Sequence, residues 1–401
     1  MANTYAVLDY ITKEAIKFAH EKSTFLSTIN RQYDEEFGKK GMKVGDSIRI
    51  RLPEKGTVRT GRVANIQDQT ETSTTLTVAT QKGFDLSWNS AEAALSLDDY
   101  IARKIEPRMA SLISNIESEV LQGATKLVYQ TVGSAGTPPT TLAPFGAARA
   151  KLNQQAAPKD GKRNVQTDSV TMGGLVEAVK TFQHPDGQIK DAFREGFIAR
   201  NAMADFYENE RVWAMTNGSD VTSVTLDTYT ITDADEAITV TGFATPTAGM
   251  VFTIAGVYDC HPETKAAYSH LKQFTILSGS TSTNVLISPT IYITGANKNV
   301  AAADGTDIVP SGLTTAALVF VGAASTSYVQ NIMYHSDFLT FATADLPLMA
   351  GADKCVRKQF EGLSLRVWED SDIKNDEQIL RVDILYGYKV LRPEWACRIT
   401  N

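Results

Sequence analysis

The sequence predicts an α+β fold with a small all-β segment inserted into it, and three observations carry that reading. An apolar period of about 3.6 residues runs through LSLDDYIARKIEPRMASLISNIESEVLQGA, residues 95–124. Alternation marks SIRIRL (47–52), STTLTV (73–78) and the stretch around Leu380–Tyr386 as strands. Residues 218 to about 308 turn sharply to Thr, Ser, Val, Ile and Ala, and Ser278 to Ile293 carry no charge. Short strands separated by Gly, Ser and Thr turns indicate a small all-β barrel or sandwich.

A chain of 401 residues exceeds what one core usually supports, so two or three packed units are expected. No apolar run reaches about 18 residues, and MANTYAVLDY lacks a basic region followed by an apolar one. The reading is a protein of the cytosol in which it is made. Cys260, Cys355 and Cys397 are odd in number and far apart, which suits reduced, packed thiols. Lys and Arg total 39 against 46 Asp and Glu, a net charge of -7. Gripping DNA phosphates needs a positive surface, so the chain is on balance repelled by nucleic acid, which does not exclude enclosing it.

In chain order, residues 1–38 read as a helical arm. Ile11, Ala15, Phe18 and Ala19 share one side, followed by Phe25, Ile29, Tyr33 and Phe37. Apolar residues are too sparse there for a core, so the arm should lie against something else. In residues 42–80, Ile48, Ile50 and Leu52 face one way, answered by Leu76 and Val78. The polar stretch between the two strands holds Lys55, Arg59 and Arg62, then Asp68 and Glu71. It is far longer than a tight hairpin turn, and loops of that length in ordered proteins are usually functional or disordered. FDLSW then leads into a long helix, with Ser96 and Asp99 as a capping box, Ile101, Ile105, Leu112, Ile116 and Val120 inward, and Glu117 and Glu119 off that face. Pro107 is expected to kink it near its middle.

Pro144 suits the first turn of a helix in APFGAARAKLNQQA. NVQTDSVTMGG reads as strand and turn, GGLVEAVKTF as a helix, and SYVQNIMYHSDFLTFATADL as helix and strand around the return from the β segment. The chain closes with strands in which Leu380, Val382, Ile384 and Tyr386 alternate with Arg381 and Asp383 on a wetter face.

Few constellations carry chemistry. Cys260, His261 and His270 fit no zinc spacing and read as a loop. EDSDIKNDE (369–377) lacks the glycine and distal Glu of a calcium loop and reads as a solvated turn. Nucleotide, zincin and nucleophile-elbow motifs are missing, so neither an enzyme nor a cofactor is expected.

The order of segments resembles the tailed-phage major capsid proteins of the HK97 fold, most closely the P22-type coat proteins with a β-barrel insertion. The resemblance rests on RQYDEEFGKKGMKVGDSIRIRLP, LSLDDYIARKIEPRMASLISNIE, FREGFIARNAMADFYENERV, GMVFTIAGVYDCHPETKAAYSHLKQFTIL and RVDILYGYKVLRPEWACRI, which together span nearly the whole chain. It implies an N-terminal arm at 1–38, an extended loop at 39–82, and a peripheral domain at 83–139 and 351–401. It further implies an axial domain at 140–217 and 309–350, with 218–308 inserted. Copies would form pentamers and hexamers of an icosahedral shell around double-stranded DNA, helped by a separate scaffolding protein and a portal. The alternative is another self-assembling shell or tube. Lys55, Arg59, Arg62, Asp68 and Glu71 on the loop, with Phe18 and Tyr33 on the arm, are the expected inter-subunit contacts. Some relatives join a loop lysine to a neighbour's asparagine. For Lys55, ordinary reversible ion pairing is the favoured expectation.

Overall fold

The computed structural model describes residues 23–31, 47–53, 55–56, 58, 61–64, 66, 73–89, 105–179, 204–227, 233–308, 313, 315–351, 353–360 and 363–401. They group into two compact units, one of Met1–Arg51, Ser73–Val120 and Leu339–Leu391, the other of Leu52–Thr72, Leu121–Phe338 and Arg392–Asn401. Strands and helices are numbered in chain order.

The first unit holds β1 (Ser47–Arg51), β2 (Ser73–Thr77), β3 (Thr80–Asn89), β16 (Leu339–Ala344), β17 (Lys354–Phe360), β18 (Leu363–Asp372) and β19 (Glu377–Val390). It also contains α1 (Glu106–Leu127) as far as Val120. β1 and β2 pair antiparallel from Ser47↔Thr77 to Arg51↔Ser73. Their alternation buries Ile48, Ile50, Leu76 and Val78 against Ala342, as the sequence predicts. β19 is the spine of the second sheet, pairing with β3, β16 and β18. Leu380, Val382, Ile384 and Tyr386 are all buried.

Its opposite face is drier than expected, because Asp383 is buried and its carboxylate takes the Arg366 guanidinium at 2.6 Å. A charge can leave water there only because its partner leaves with it. In α1, Ile105, Leu112, Ile116 and Val120 are buried as predicted. Ile101 and the Ser96/Asp99 capping box lie outside the described residues. Pro107 is the second residue of the described helix, and the residues before Ile105, on which the expected kink near the helix middle depends, lie outside the described residues. Glu117, expected off the apolar face, is fully buried. It accepts the Phe25 N–H at 2.8 Å and the Thr24 hydroxyl at 3.0 Å, fastening residues 24–25 to the helix.

In the second unit, β4 (Thr131–Gly133), β5 (Arg163–Thr167), β6 (Asp205–Glu208), β7 (Trp213–Thr216), β15 (Ser327–His335) and β20 (Ala396–Thr400) form a mixed sheet in the order β4-β20-β15-β5-β6, with β7 also on β15. α2 (Ala143–Gln154) and α3 (Ser169–Val179) accompany it. Phe145, Leu152, Val165, Leu175, Phe206 and Met333 belong to its core. Two expectations are corrected here. SVTMGG is helical, with Gly173 and Gly174 inside α3, and Gly174 lies so close to the Pro139 carbonyl that a Cβ would stand 3.2 Å from it. SYVQNIMYH is a strand rather than a helix, since it lies between β5, β7 and β20 and buries both of its faces.

A second sheet of this unit comprises β8 (Thr225–Leu226), β9 (Asp235–Thr241), β10 (Val251–Cys260), β11 (Ala267–Ile276), β12 (Asn284–Ile291), β13 (Val300–Ala301) and β14 (Leu318–Phe320). From β8 the order runs through β9, β12, β11 and β10 to β14. It returns to its start through Leu226 N–H to Ala316 O and Leu318 N–H to Val224 O, both 2.9 Å. Phe252, Ile254, Phe274, Ile276, Val285 and Ile287 fill its centre. Strand pairing thus carries this sheet beyond residue 308. The chain enters and leaves it through one neck, where Ser325 N–H meets Gly218 O at 3.0 Å and Asn217 N–H meets Thr326 O at 3.1 Å. Near the end of the chain, β16 pairs with β19 and β20 with β15.

Candidate assembly surface

The hairpin of β1 and β2 is held at its foot by a backbone approach. β19 passes β2 at Gly387, which has no side chain to keep the two apart. Arg49 Nε donates to Ser73 Oγ at 2.7 Å across the exposed face of the ribbon. A two-stranded ribbon is marginal alone, so this foot makes the hairpin a persistent element.

Residues 52–72 follow β1 in the chain and group with the second unit. Lys55, Gly56 and Arg62 are exposed. So are three aliphatic side chains, Val58 at 96%, Val63 at 84% and Ile66 at 93%. Single exposed apolar residues are ordinary, but three in one loop resemble a surface waiting to be covered. Sequence reasoning singled out the charges of this loop and passed over these aliphatics. The available signal was their failure to keep a strand or helix period. Of the predicted contacts, the structure places Lys55 and Arg62 on one exposed loop. Arg59, Asp68, Glu71, Phe18 and Tyr33 lie outside the described residues.

Lys55, Gly56 and Val58 line a cleft of about 520 Å³ with Tyr129, Cys260, Lys272, Asn299 and Trp395 among its other walls. Lys265 lies close enough to Lys55 that burial first, and then that second cation, lower its pKa. The cleft borders a buried ion pair in which Lys272 Nζ meets Asp259 Oδ1 at 2.7 Å. Gln155 Nε2 donates to the other carboxylate oxygen at 2.9 Å, and His270 Nε2 lies 3.5 Å from it. Burial pushes the Asp259 carboxyl up, but Lys272 and His270 outweigh it and leave the group below its ordinary value. Asn299, the asparagine of this cleft, accepts Tyr292 N–H at 3.0 Å and donates to Thr290 O at 2.8 Å. It braces a turn.

The chemistry of these groups is structural. Burial raises the thiol of Cys260, and raises that of Cys397 to about 12, so both stay protonated and unreactive. His261 Nδ1 accepts the N–H groups of Glu263 and Thr264, and Tyr268 stacks on His270, so the Cys260–His270 stretch is built as a turn and an aromatic stack. In 370–377, Asp372 accepts Lys374 N–H and Asn375 Nδ2, both at 2.8 Å, fixing the β18–β19 turn.

The model of the family described as P22 coat protein, gene protein 5, matches residues 4–398. No curated protein matches the chain. Among solved structures, a chain from Mycobacterium phage Che8 is 12% identical, with 94% of this chain and 90% of that one covered and a TM-score of 0.48. The capsid of cyanophage P-SCSP1u is 9% identical over 89% and 84%, with a TM-score of 0.44. A virus-like particle from Pyrococcus furiosus is 6% identical over 98% of each chain, with a TM-score of 0.42.

Proposed function

Because the chain belongs to the P22 coat protein family and is a major capsid protein of a phage shell, we propose that its copies meet through the 52–72 loop as pentamers and hexamers. The shell they close is icosahedral and surrounds double-stranded DNA. The coat is a self-assembling layer of the virion, and its family is a structural one rather than an enzyme class. The observation that carries the loop's role is the exposure of Val58, Val63 and Ile66 beyond a ribbon whose own apolar face is already buried. Covering such side chains with a neighbour removes apolar surface from water, while the flanking charges set orientation.

The finer architecture proposed is HK97-like. Residues 1–38 are the arm, 39–82 the extended loop, and α1 the spine helix. The β3, β16–β19 sheet is peripheral, and the sheet around β15 and β20 is axial. The 218–308 segment, extended to about residue 324, is an inserted barrel. Support for the insertion is its return to β15 at the bonded Gly218–Ser325 neck and a strand order that comes back to β8. The net charge of -7 suits a wall that encloses DNA and lets it go. A separate scaffolding protein and a portal, acting in the host cytoplasm, complete the reading.

Negative-stain electron microscopy of the chain expressed alone and with a candidate scaffolding protein tests this. Closed shells, or rings of five and six, are expected. Uniform single-chain particles under both conditions would overturn it.

A further inference from the structure

We propose that Arg149 of α2, Arg163 of β5 and Lys159 of the turn between them form a seat for one phosphate group. These three side chains and Gly161 line a small recess. Among the described residues no carboxylate lines it.

The sequence concentrates positive charge here. Residues 149–163 hold Arg149, Lys151, Lys159, Lys162 and Arg163 against Asp160 alone, a net charge of +4 within a chain of -7. Two of the five cations are engaged elsewhere. Lys162 Nζ lies 4.0 Å from Asp160 Oδ2, and Lys151 lies in the field of Asp259. Asp160 is itself occupied, since its Oδ1 meets His335 Nε2 at 2.9 Å and accepts Lys162 N–H at 3.1 Å. The other three cations converge on the recess.

The buried member of the three is held ready. Arg163 is 2% exposed, and it donates through Nε to Pro158 O at 3.0 Å and through Nη2 to Ala157 O at 2.8 Å. Those bonds fix the plane of the guanidinium and leave Nη1 as the nitrogen available to a ligand. Burial first, and then the Arg149 cation, lower the Arg163 pKa, with Asp160 opposing them. Two guanidiniums held this close together attract an anion more strongly than either does alone. Gly161, at a φ of 87°, takes the left-handed turn that lets Lys159 and Arg163 share one recess.

Size selects the ligand. The recess offers a water-sized group about 10 Å³, the room of a single oxygen. A phosphate can give one oxygen to it and keep others outside for Lys159, which is exposed at the rim. A nucleic-acid backbone and free phosphate share this chemistry. Against a backbone each copy would neutralise one phosphate, a contact that is weak alone and adds up only where many copies face one polymer. Such a contact is compatible with a chain whose net charge repels nucleic acid.

The full chain is titrated with inorganic phosphate by calorimetry and with a fluorescent DNA duplex by anisotropy. The parent is compared with Arg149→Gln, Lys159→Gln and a control, Lys374→Gln, which removes an exposed lysine of the β18–β19 turn. The parent is expected to bind phosphate, the two site variants to weaken it by about tenfold each, and the control to leave it unchanged. A matching loss of duplex binding, with a salt slope shallower by about 0.9, identifies the nucleic-acid backbone as the ligand. Duplex binding that does not change identifies free phosphate. A parent that does not bind phosphate, site variants that bind it as the parent does, or a control that loses as much as they do overturns the seat. Thermal midpoints are read beside the titrations, and if Arg149→Gln folds poorly the exposed Lys159→Gln decides.

Discussion

A Cβ placed on Gly387 would stand 2.0 Å from the carbonyl oxygen of Thr77, so β19 and β2 meet backbone to backbone at the foot of the β1–β2 hairpin. Even a methyl group must push the strands apart. Gly387→Ala is expected to destabilise the subunit by about 1–3 kcal/mol, the usual range for overpacking. Gly56→Ala, where nothing lies within 4 Å, is the matched control and should be near neutral. Thermal melting of the two variants checks this, and equal midpoints would show that the foot yields without cost.

Arg398 makes a different kind of join. Its guanidinium is buried and donates to Gly249 O at 2.6 Å, Lys126 O at 3.0 Å and Thr275 Oγ1 at 3.1 Å, linking β20 to the last turn of α1 and to the β10–β11 sheet. Burial lowers its pKa to about 9, which leaves it charged at neutral pH. Arg398→Met strands those acceptors and should cost about 3 kcal/mol or more. Arg398→Lys should recover little, because a point charge cannot reproduce a planar fork. Denaturant midpoints of the two variants give the comparison.

How much of this was legible in the sequence depended on whether a contact follows a period. The burial of Ile48, Ile50 and Leu76, and of Leu380, Val382, Ile384 and Tyr386, follows from alternation alone. Glu117 and Asp383 were misread as solvent-facing because their partners, Phe25 N–H and Arg366, are distant in sequence and nothing local announces them. Arg398 sits in a short apolar strand and likewise gave no sign of its acceptors. The composition shift marked the Gly218 side of the neck but ended the β segment before β14, so Ser325 was not seen as its partner.

Acid sensitivity is expected from Asp259. Its carboxyl is depressed in the folded chain, so its stabilising contribution is fully present above the unfolded value of about 3.9 and is lost as pH falls through the lower folded value. Asp259→Asn should flatten that part of the acid limb. At pH 7 it should also cost about 3–5 kcal/mol, because Lys272, 2% exposed, is left buried without its counter-ion. Adding Lys272→Met should return most of that loss. Melting curves between pH 2 and pH 7 separate the two effects, and an unchanged acid limb in Asp259→Asn would count against the assignment.

The role of residues 218–324 in folding gives the last prediction. This sheet encloses its own apolar centre of Phe252, Ile254, Phe274 and Ile287, whereas the surrounding β5, β7, β15 and β20 come from distant parts of the chain. A segment that can close its core locally has less loop entropy to lose and should form early, holding the two halves of its host together. Deleting 220–307 should therefore lower soluble yield strongly, because it also leaves Leu318 and Phe320 of β14 without β10. Deleting 219–324 cuts at the bonded neck and removes β14 as well, so it should lose less. Both deletions take Gly249 and Thr275 from Arg398, and Arg398→Met in the shorter chain should relieve part of the defect. Refolding yield of the three chains against the parent is the measurement. A 219–324 deletion that refolds as well as the parent would remove folding support as the reason for the insertion and leave contact between copies as its role.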